Sequence, residues 1–109
     1  MDAAATAETR VFQALADPSR RAIFESLTRG EAAVKDLTDR FAISQPAVSQ
    51  HLSALRAADL VSSRREGRRV FYKVKPNGIK PLVDWITHYQ AFWTDRLGRL
   101  QRLLESMDQ

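Results

Sequence analysis

Cysteine is absent from the 109 residues. That excludes disulfides, thiolate metal sites and cysteine nucleophiles. Histidine occurs only as His51 and His88, so a histidine-rich metal centre is also missing. The four glycines stand singly, at Gly30, Gly67, Gly78 and Gly98, and cannot form a phosphate-cradling loop. No Ser-His-Asp arrangement suggests itself, and with no other nucleophile system the chain reads as something other than an enzyme. Apolar runs are far shorter than the ~20 residues of a membrane-spanning helix. Met1 to Ala7 lacks both a basic start and an apolar segment, so no secretion signal is visible and a cytoplasmic location is expected.

What is present is a core-forming composition and an uneven charge. Hydrophobic residues make up 44% of the chain, and the length suits one domain over 1–109. The formal charge is +4. Between Ser44 and Lys75 there are seven basic residues (Arg56, Arg64, Arg65, Arg68, Arg69, Lys73 and Lys75) and two acidic ones (Asp59 and Glu66), a local net of +5. From Pro76 to Gln109 four basic residues balance four acidic ones. An asymmetry of this kind fits a polyanionic partner on one face.

The chain pattern places the elements. Met1 to Ala7 reads as a frayed start, followed by a short helical stripe of Val11, Phe12 and Leu15. Asp17-Pro18 starts a second helix, because Asp accepts from free N–H groups and Pro suits the first turn; Ala22, Ile23 and Leu27 are its inward face, and Gly30 stops it. Ala32 to Val34 reads as a short extended piece and Lys35 to Phe41 as a short helix. After the turn at Ala42-Ile43, Ser44 caps a helix from Gln45 to about Ala58, whose Val48, Leu52 and Leu55 share a narrow arc. Alternation from Val70 to Val74 indicates strand, and Glu66-Gly67 marks a hairpin turn. Beyond Pro76-Asn77-Gly78 the pattern predicts one long helix, or two with a kink near Pro81.

Short helix, tight turn, second helix and basic hairpin, in that order, define a mainly α (α+β) winged helix-turn-helix domain, with a two-stranded β-hairpin wing and a long C-terminal helix. A helix fits the major groove, where base edges offer distinct donors and acceptors. The residues expected on DNA are Ser44, Gln45, Ser49, Gln50, His51, Ser53 and Arg56 on the helix. Arg65, Arg68 and Arg69, with Arg64, supply the hairpin. Gln pairs with adenine edges, Ser with either kind of base edge, and Arg with phosphates or the minor groove. A polar helix face alone is usually just a solvated face, and an Arg-rich hairpin alone is as often an ordinary charged edge; their succession favours DNA. His51 sits at the border of the polar face and serves either DNA contact or local packing. A winged helix also serves as a protein-interaction module, which the arginine cluster argues against.

The same residues resemble the ArsR/SmtB family of bacterial winged-helix repressors. The resemblance is carried by Ala14-Leu15-Ala16-Asp17-Pro18-Ser19-Arg20-Arg21, by Ser44-Gln45-Pro46-Ala47-Val48-Ser49-Gln50-His51-Leu52, by Leu55 with Leu60-Val61, and by the hairpin Arg65-Glu66-Gly67-Arg68-Arg69-Val70-Phe71-Tyr72. It covers roughly Thr9 to Lys75. It implies a homodimer that represses transcription from palindromic double-stranded DNA operators, with the fourth helix as recognition helix and the hairpin as wing. Many members of the family release DNA on binding a metal. Here Val34-Lys35-Asp36-Leu37 stands where those members carry a Cys-Val-Cys type motif. Asp84 and His88, four apart on the last helix, lack further histidine ligands and read as a surface pair. No metal and no cofactor is therefore expected.

Residues 8–75 are thus expected to form the DNA-binding core, and 77–107 a C-terminal dimerisation helix. The apolar stripe of the last helix is long for so small a domain, and pairing with a second copy would cover it. The expected dimer interface comprises Val11, Phe12, Trp85, Tyr89, Phe92, Trp93, Leu97, Leu100 and Leu104. The aromatic stripe fits either core packing or the lining of a small apolar pocket, so a small-molecule effector stays an open question at this point, as does the choice between a ligand-responsive sensor and a repressor set by its own concentration.

Overall fold

The computed structural model describes residues 3–108. Its first helix, α1 (Ala3–Ala16), starts well before the expected stripe. Alanine has the highest helix propensity, and the alanine-rich segment from Ala3 continues the helix backwards. Of the expected frayed start, Met1 and Asp2 lie outside the described residues. The second helix, α2 (Pro18–Leu27), is capped as expected: the Arg20 backbone N–H donates to Asp17 Oδ1 at 2.9 Å, and Pro18 occupies the first turn. Its buried face is wider than the spacing indicated, taking in Phe24 and Ser26 beside Ile23 and Leu27, with Ala22 only partly covered.

A two-residue strand, β1 (Ala32–Ala33), leads into α3 (Val34–Phe41). The Asp36 carboxylate accepts from the Ala33 N–H at 3.2 Å at the start of that helix. Ala42, at φ 52, ends it in the left-handed region. Ser44 then caps α4 (Gln45–Ala57), its hydroxyl accepting from the Ala47 N–H at 3.2 Å. The inner face of α4 is Val48, Leu52 and Leu55, each with no exposed surface. These join Val11, Ile23, Leu37 and Leu60 in one core. Each such aliphatic side chain contributes about 1.5–3 kcal/mol by leaving water, so α4 is held rigidly on the domain.

Strands β2 (Val61–Glu66) and β3 (Arg69–Val74) pair antiparallel from Val61↔Val74 to Glu66↔Arg69. Gly67, at φ 62, takes the first of the two loop positions, where a side chain would be strained. The sheet has a third member that the hairpin reading lacked. β1 adds to the other edge of β3, with Ala32 opposite Tyr72 and Ala33 opposite Phe71, in the order β1-β3-β2. The wing is thus anchored to the segment preceding α3.

A turn of 3-10 helix (Pro76–Ile79) precedes α5 (Lys80–His88) and α6 (Gln90–Met107). The C-terminal region is therefore two helices, and the break falls at Tyr89 instead of near Pro81. Pro81 sits in the first turn of α5, where its missing N–H costs nothing. α5 packs on α1, with Phe12 meeting Trp85 edge-on at 5.4 Å between ring centroids. No residue of α6 is buried.

Candidate nucleic-acid interface

Capping and core packing decide which side of α4 faces outward. With Val48, Leu52 and Leu55 turned in, Gln45, Ser49, Gln50, Ser53 and Arg56 are all exposed. Ser44 is exposed too, but its hydroxyl is engaged as the helix cap, leaving its second lone pair and its proton for any partner. His51 departs from the group. It is half-buried, and its Nδ1 is sealed from solvent without a hydrogen-bond partner. It lies near Asp17, at the α1–α2 junction, and not in the outward row. The Asp17 carboxyl is held below its ordinary value of 3.8, chiefly by the Arg20 backbone N–H, with the nearby His51 and Arg20 side chains adding to the effect against partial desolvation.

The wing approaches one flank of α4. Gln45 and Ser49 of α4, Lys35 of α3 and Arg68 and Arg69 of the wing line an open cleft of about 430 Å3. Lys35 belongs to this group, although the sequence reading gave it no role. A cation in the first turn of the helix before a helix-turn-helix turn is the signal that would have found it.

The four hairpin arginines are not equivalent. Arg64 is committed to carboxylates: Glu31 at 2.6 Å and Glu66 at 2.7 Å, with Phe71 beneath the guanidinium. Glu31 is held below its ordinary value by that pairing, and Arg64 is pushed above its own. Arg69 lies 3.6 Å from Asp36 and also stacks near Phe71. Among the described residues Arg65 and Arg68 have no ion-pair partner. They are exposed beside Gly67 at the wing tip. Among the hairpin arginines, free positive charge is thus concentrated near the tip.

The expected interface residues of the terminal helices divide as well. Val11 is 1% exposed and belongs to the core of its own chain, so it offers no surface to a second copy. Phe12, Tyr89, Phe92, Trp93, Leu97, Leu100 and Leu104 are exposed, whereas Trp85 is partly covered by Phe12 and Tyr89. Asp84 is paired with Lys80 at 2.7 Å, and the His88 ring stands edge-on to Tyr89. Among the described residues no three acidic or histidine side chains cluster as a metal site would require. None of the helices described is long and apolar enough to cross a membrane.

A capped helix pair around a tight turn, followed by a sheet-anchored basic hairpin, defines a winged helix-turn-helix protein. Comparisons with known proteins agree. The model of the bacterial regulatory protein arsR family matches residues 17–63. The HTH-type transcriptional regulator Rv2034 of Mycobacterium tuberculosis is 43% identical over 89% of this chain and 88% of its own length. Transcriptional repressor SdpR of Bacillus subtilis is 32% identical over 72% of this chain and 88% of its own. Among solved structures, HlyU from Vibrio cholerae aligns with a TM-score of 0.68 at 31% identity, covering 81% of this chain and 96% of that one. An ArsR-like regulator from Rhodococcus sp. RHA1 reaches 0.71 at 28% identity, covering 90% and 92%. The chain belongs to the ArsR family of bacterial transcriptional regulators, a family of regulators and not of enzymes.

Proposed function

We propose that this protein is a homodimeric repressor that binds a two-fold symmetric DNA operator in the cytoplasm. Each copy lays α4 in the major groove and its wing on the adjacent backbone. The observation that carries the reading is the outward row of Gln45, Ser49, Gln50 and Ser53 on a helix fixed by fully buried Val48, Leu52 and Leu55, next to Arg65 and Arg68, which have no ion-pair partner among the described residues. Direct readout needs this combination: polar groups that reach base edges, on a support that does not move, with cations set for phosphate. The relative SdpR is named a transcriptional repressor, which supports repression as the outcome.

Dimerisation is supported by apolar surface that one chain leaves uncovered. Ile86, Trp93, Leu97, Leu100, Leu104 and Met107 are between 41% and 71% exposed. From Trp93 onward their spacing alternates four and three, the seam of a coiled coil. A second copy covers such a seam, and two-fold pairing sets two recognition helices about one DNA turn, roughly 34 Å, apart. Sedimentation of the protein with duplex DNA containing its operator tests this directly. Two chains per duplex with a symmetric footprint are expected; a single chain bound tightly to an asymmetric site would overturn the proposal.

A further inference from the structure

The flank of α4 away from the wing holds a second cleft, of about 470 Å3, that the sequence reading did not anticipate. Arg10 and Gln13 of α1 and Arg20 of α2 face the alanines Ala54, Ala57 and Ala58 across it. At about 100° per residue, Gln45 and Ser49 lie on the wing side of the exposed arc, and Ala54 and Ala58 on the opposite side, with Gln50 and Ser53 between. The recognition helix is therefore bordered by cations on both flanks.

Among the described residues neither arginine in this cleft has a close counter-charge, and Arg20 feels only the longer-range attraction of Asp17. Arg10 is exposed, whereas Arg20 is half-buried, with its Nε sealed from solvent and lacking an acceptor. A guanidinium donor withdrawn from water without a partner is unfavourable. The neighbouring Arg21 shows the contrast, since its Nη1 donates to the Leu15 carbonyl at 2.8 Å. The alanines across the cleft leave room for a bulky group to come close.

DNA geometry supplies the missing acceptor. The major groove is about 12 Å wide, and a helix with its side chains is about 10–12 Å across, so a helix in the groove has a phosphate wall against each flank. The wing addresses one wall. We infer that Arg10 and Arg20, with Gln13, grip phosphates of the opposite wall, making a two-sided clamp around α4. The planar fork of arginine suits phosphate oxygens. This inference rests on the DNA-binding reading above and adds the second strand to it.

The full chain carrying Arg10→Gln tests the clamp, because Arg10 is exposed and has no ion-pair partner among the described residues. Its melting temperature and dimer mass should match wild type. Binding to operator and to scrambled duplex should weaken by the same factor, and the slope of log affinity against log salt should fall by about 0.9 per lost contact, about two for the dimer. Arg20→Lys, which keeps the charge but not the fork, should weaken both duplexes while changing that slope little. Methylphosphonate linkages on the wall away from the wing should weaken wild type more than Arg10→Gln, which keeps only Arg20 and Gln13 on that wall. If Arg10→Gln keeps the wild-type slope while Arg68→Ala lowers it, the clamp is wrong and the DNA-binding reading stands. If wild type itself shows no salt-dependent binding to DNA, the DNA-binding reading fails first and the clamp with it. Should Arg10→Gln bind DNA normally but lose calorimetric binding of inorganic phosphate seen in wild type, the cleft serves a free anion and the clamp is again overturned.

Discussion

Arg64 holds Glu31 through two hydrogen bonds, Nε to Oε2 at 3.0 Å and Nη2 to Oε1 at 2.6 Å. The pair ties β2 of the wing to the segment entering β1, across 33 positions of sequence. Together with Glu66 it neutralises the Arg64 charge, so this arginine fixes the wing's position instead of meeting phosphate. Arg64→Ala should therefore leave the salt dependence of DNA binding close to wild type, unlike a change at the wing tip. A drop in slope of about one per protomer would show that Arg64 exchanges its carboxylates for phosphate.

The same pair gives a signed dependence on pH. Glu31 is lowered from its ordinary 4.5 by Arg64. A depressed carboxyl stabilises the fold above its ordinary value, and that contribution is lost as the pH falls through the lowered one. Urea midpoints of wild type and Glu31→Gln should converge as the medium is acidified below 4.5 and separate above it. Parallel curves throughout would show that the ion pair adds nothing to stability, as exposed pairs sometimes do.

How much of this was legible in the sequence depended on distance along the chain. Helix α4 was readable because Ser44, Pro46 and the spacing of Val48, Leu52 and Leu55 are local signals. The wing tip was readable from Glu66-Gly67 for the same reason. The break at Tyr89 was not, since His88-Tyr89-Gln90 contains neither Pro nor Gly, and the nearby Pro81 is innocuous in a first turn. Val11 and Phe12 are adjacent members of one stripe, yet one is core and the other surface; only the packing of α1 on its neighbours separates them. The commitment of Arg64 to Glu31 and the placement of Arg10 and Arg20 around one cleft are products of tertiary structure, and no periodicity announces them.

Gly78 is required for a steric reason that composition does not reveal. A Cβ there would overlap the Asp59 carbonyl oxygen, and Asp59 is itself in the left-handed region at φ 62. Because the obstacle is backbone, Gly78→Ala should destabilise the protein by about 1–3 kcal/mol. Gly98 provides the control. Its Cβ would meet only the flexible Arg102 side chain at 3.5 Å, and Ala is the better helix former by about 1 kcal/mol. Urea unfolding should show opposite signs for the two substitutions; equal effects would contradict the packing of the Asp59 turn on Gly78.

Leu100 is 50% exposed on α6, in the middle of the uncovered seam. If a second copy covers it, Leu100→Glu buries a charge at the interface. The dimer should weaken by at least about 2 kcal/mol, roughly thirtyfold, with the monomer's far-ultraviolet spectrum retained. Light scattering over a dilution series reads this out. An unchanged dimer would place the interface elsewhere.

Transition metals should neither be needed for DNA binding nor reverse it. Asp84 already has Lys80 as its partner at 2.7 Å, and His88 has no second imidazole near it among the described residues. Zinc added to a protein–operator complex should leave its gel shift unchanged. Stoichiometric zinc binding lost in Asp84→Ala and His88→Ala would refute this.

Recognition helix and wing tip should fail in different ways. Gln50 lies at the centre of the outward arc of α4, with Ser53 and then Ser49 on its wing side, and its amide can make paired hydrogen bonds to adenine. Gln50→Ala should cost about 1–3 kcal/mol on the operator and little on scrambled DNA. Arg68 sits at the wing tip, exposed and unpaired among the described residues. Arg68→Ala should weaken both duplexes alike and flatten the salt plot by about one unit in each half of the dimer. A wing arginine entering the minor groove would instead add a preference for A·T pairs near the site edges. Isotherms at several salt concentrations, on operator and scrambled duplexes, distinguish these outcomes. If Gln50→Ala, Ser49→Ala and Ser53→Ala all keep the operator preference, α4 is not the element that reads the bases.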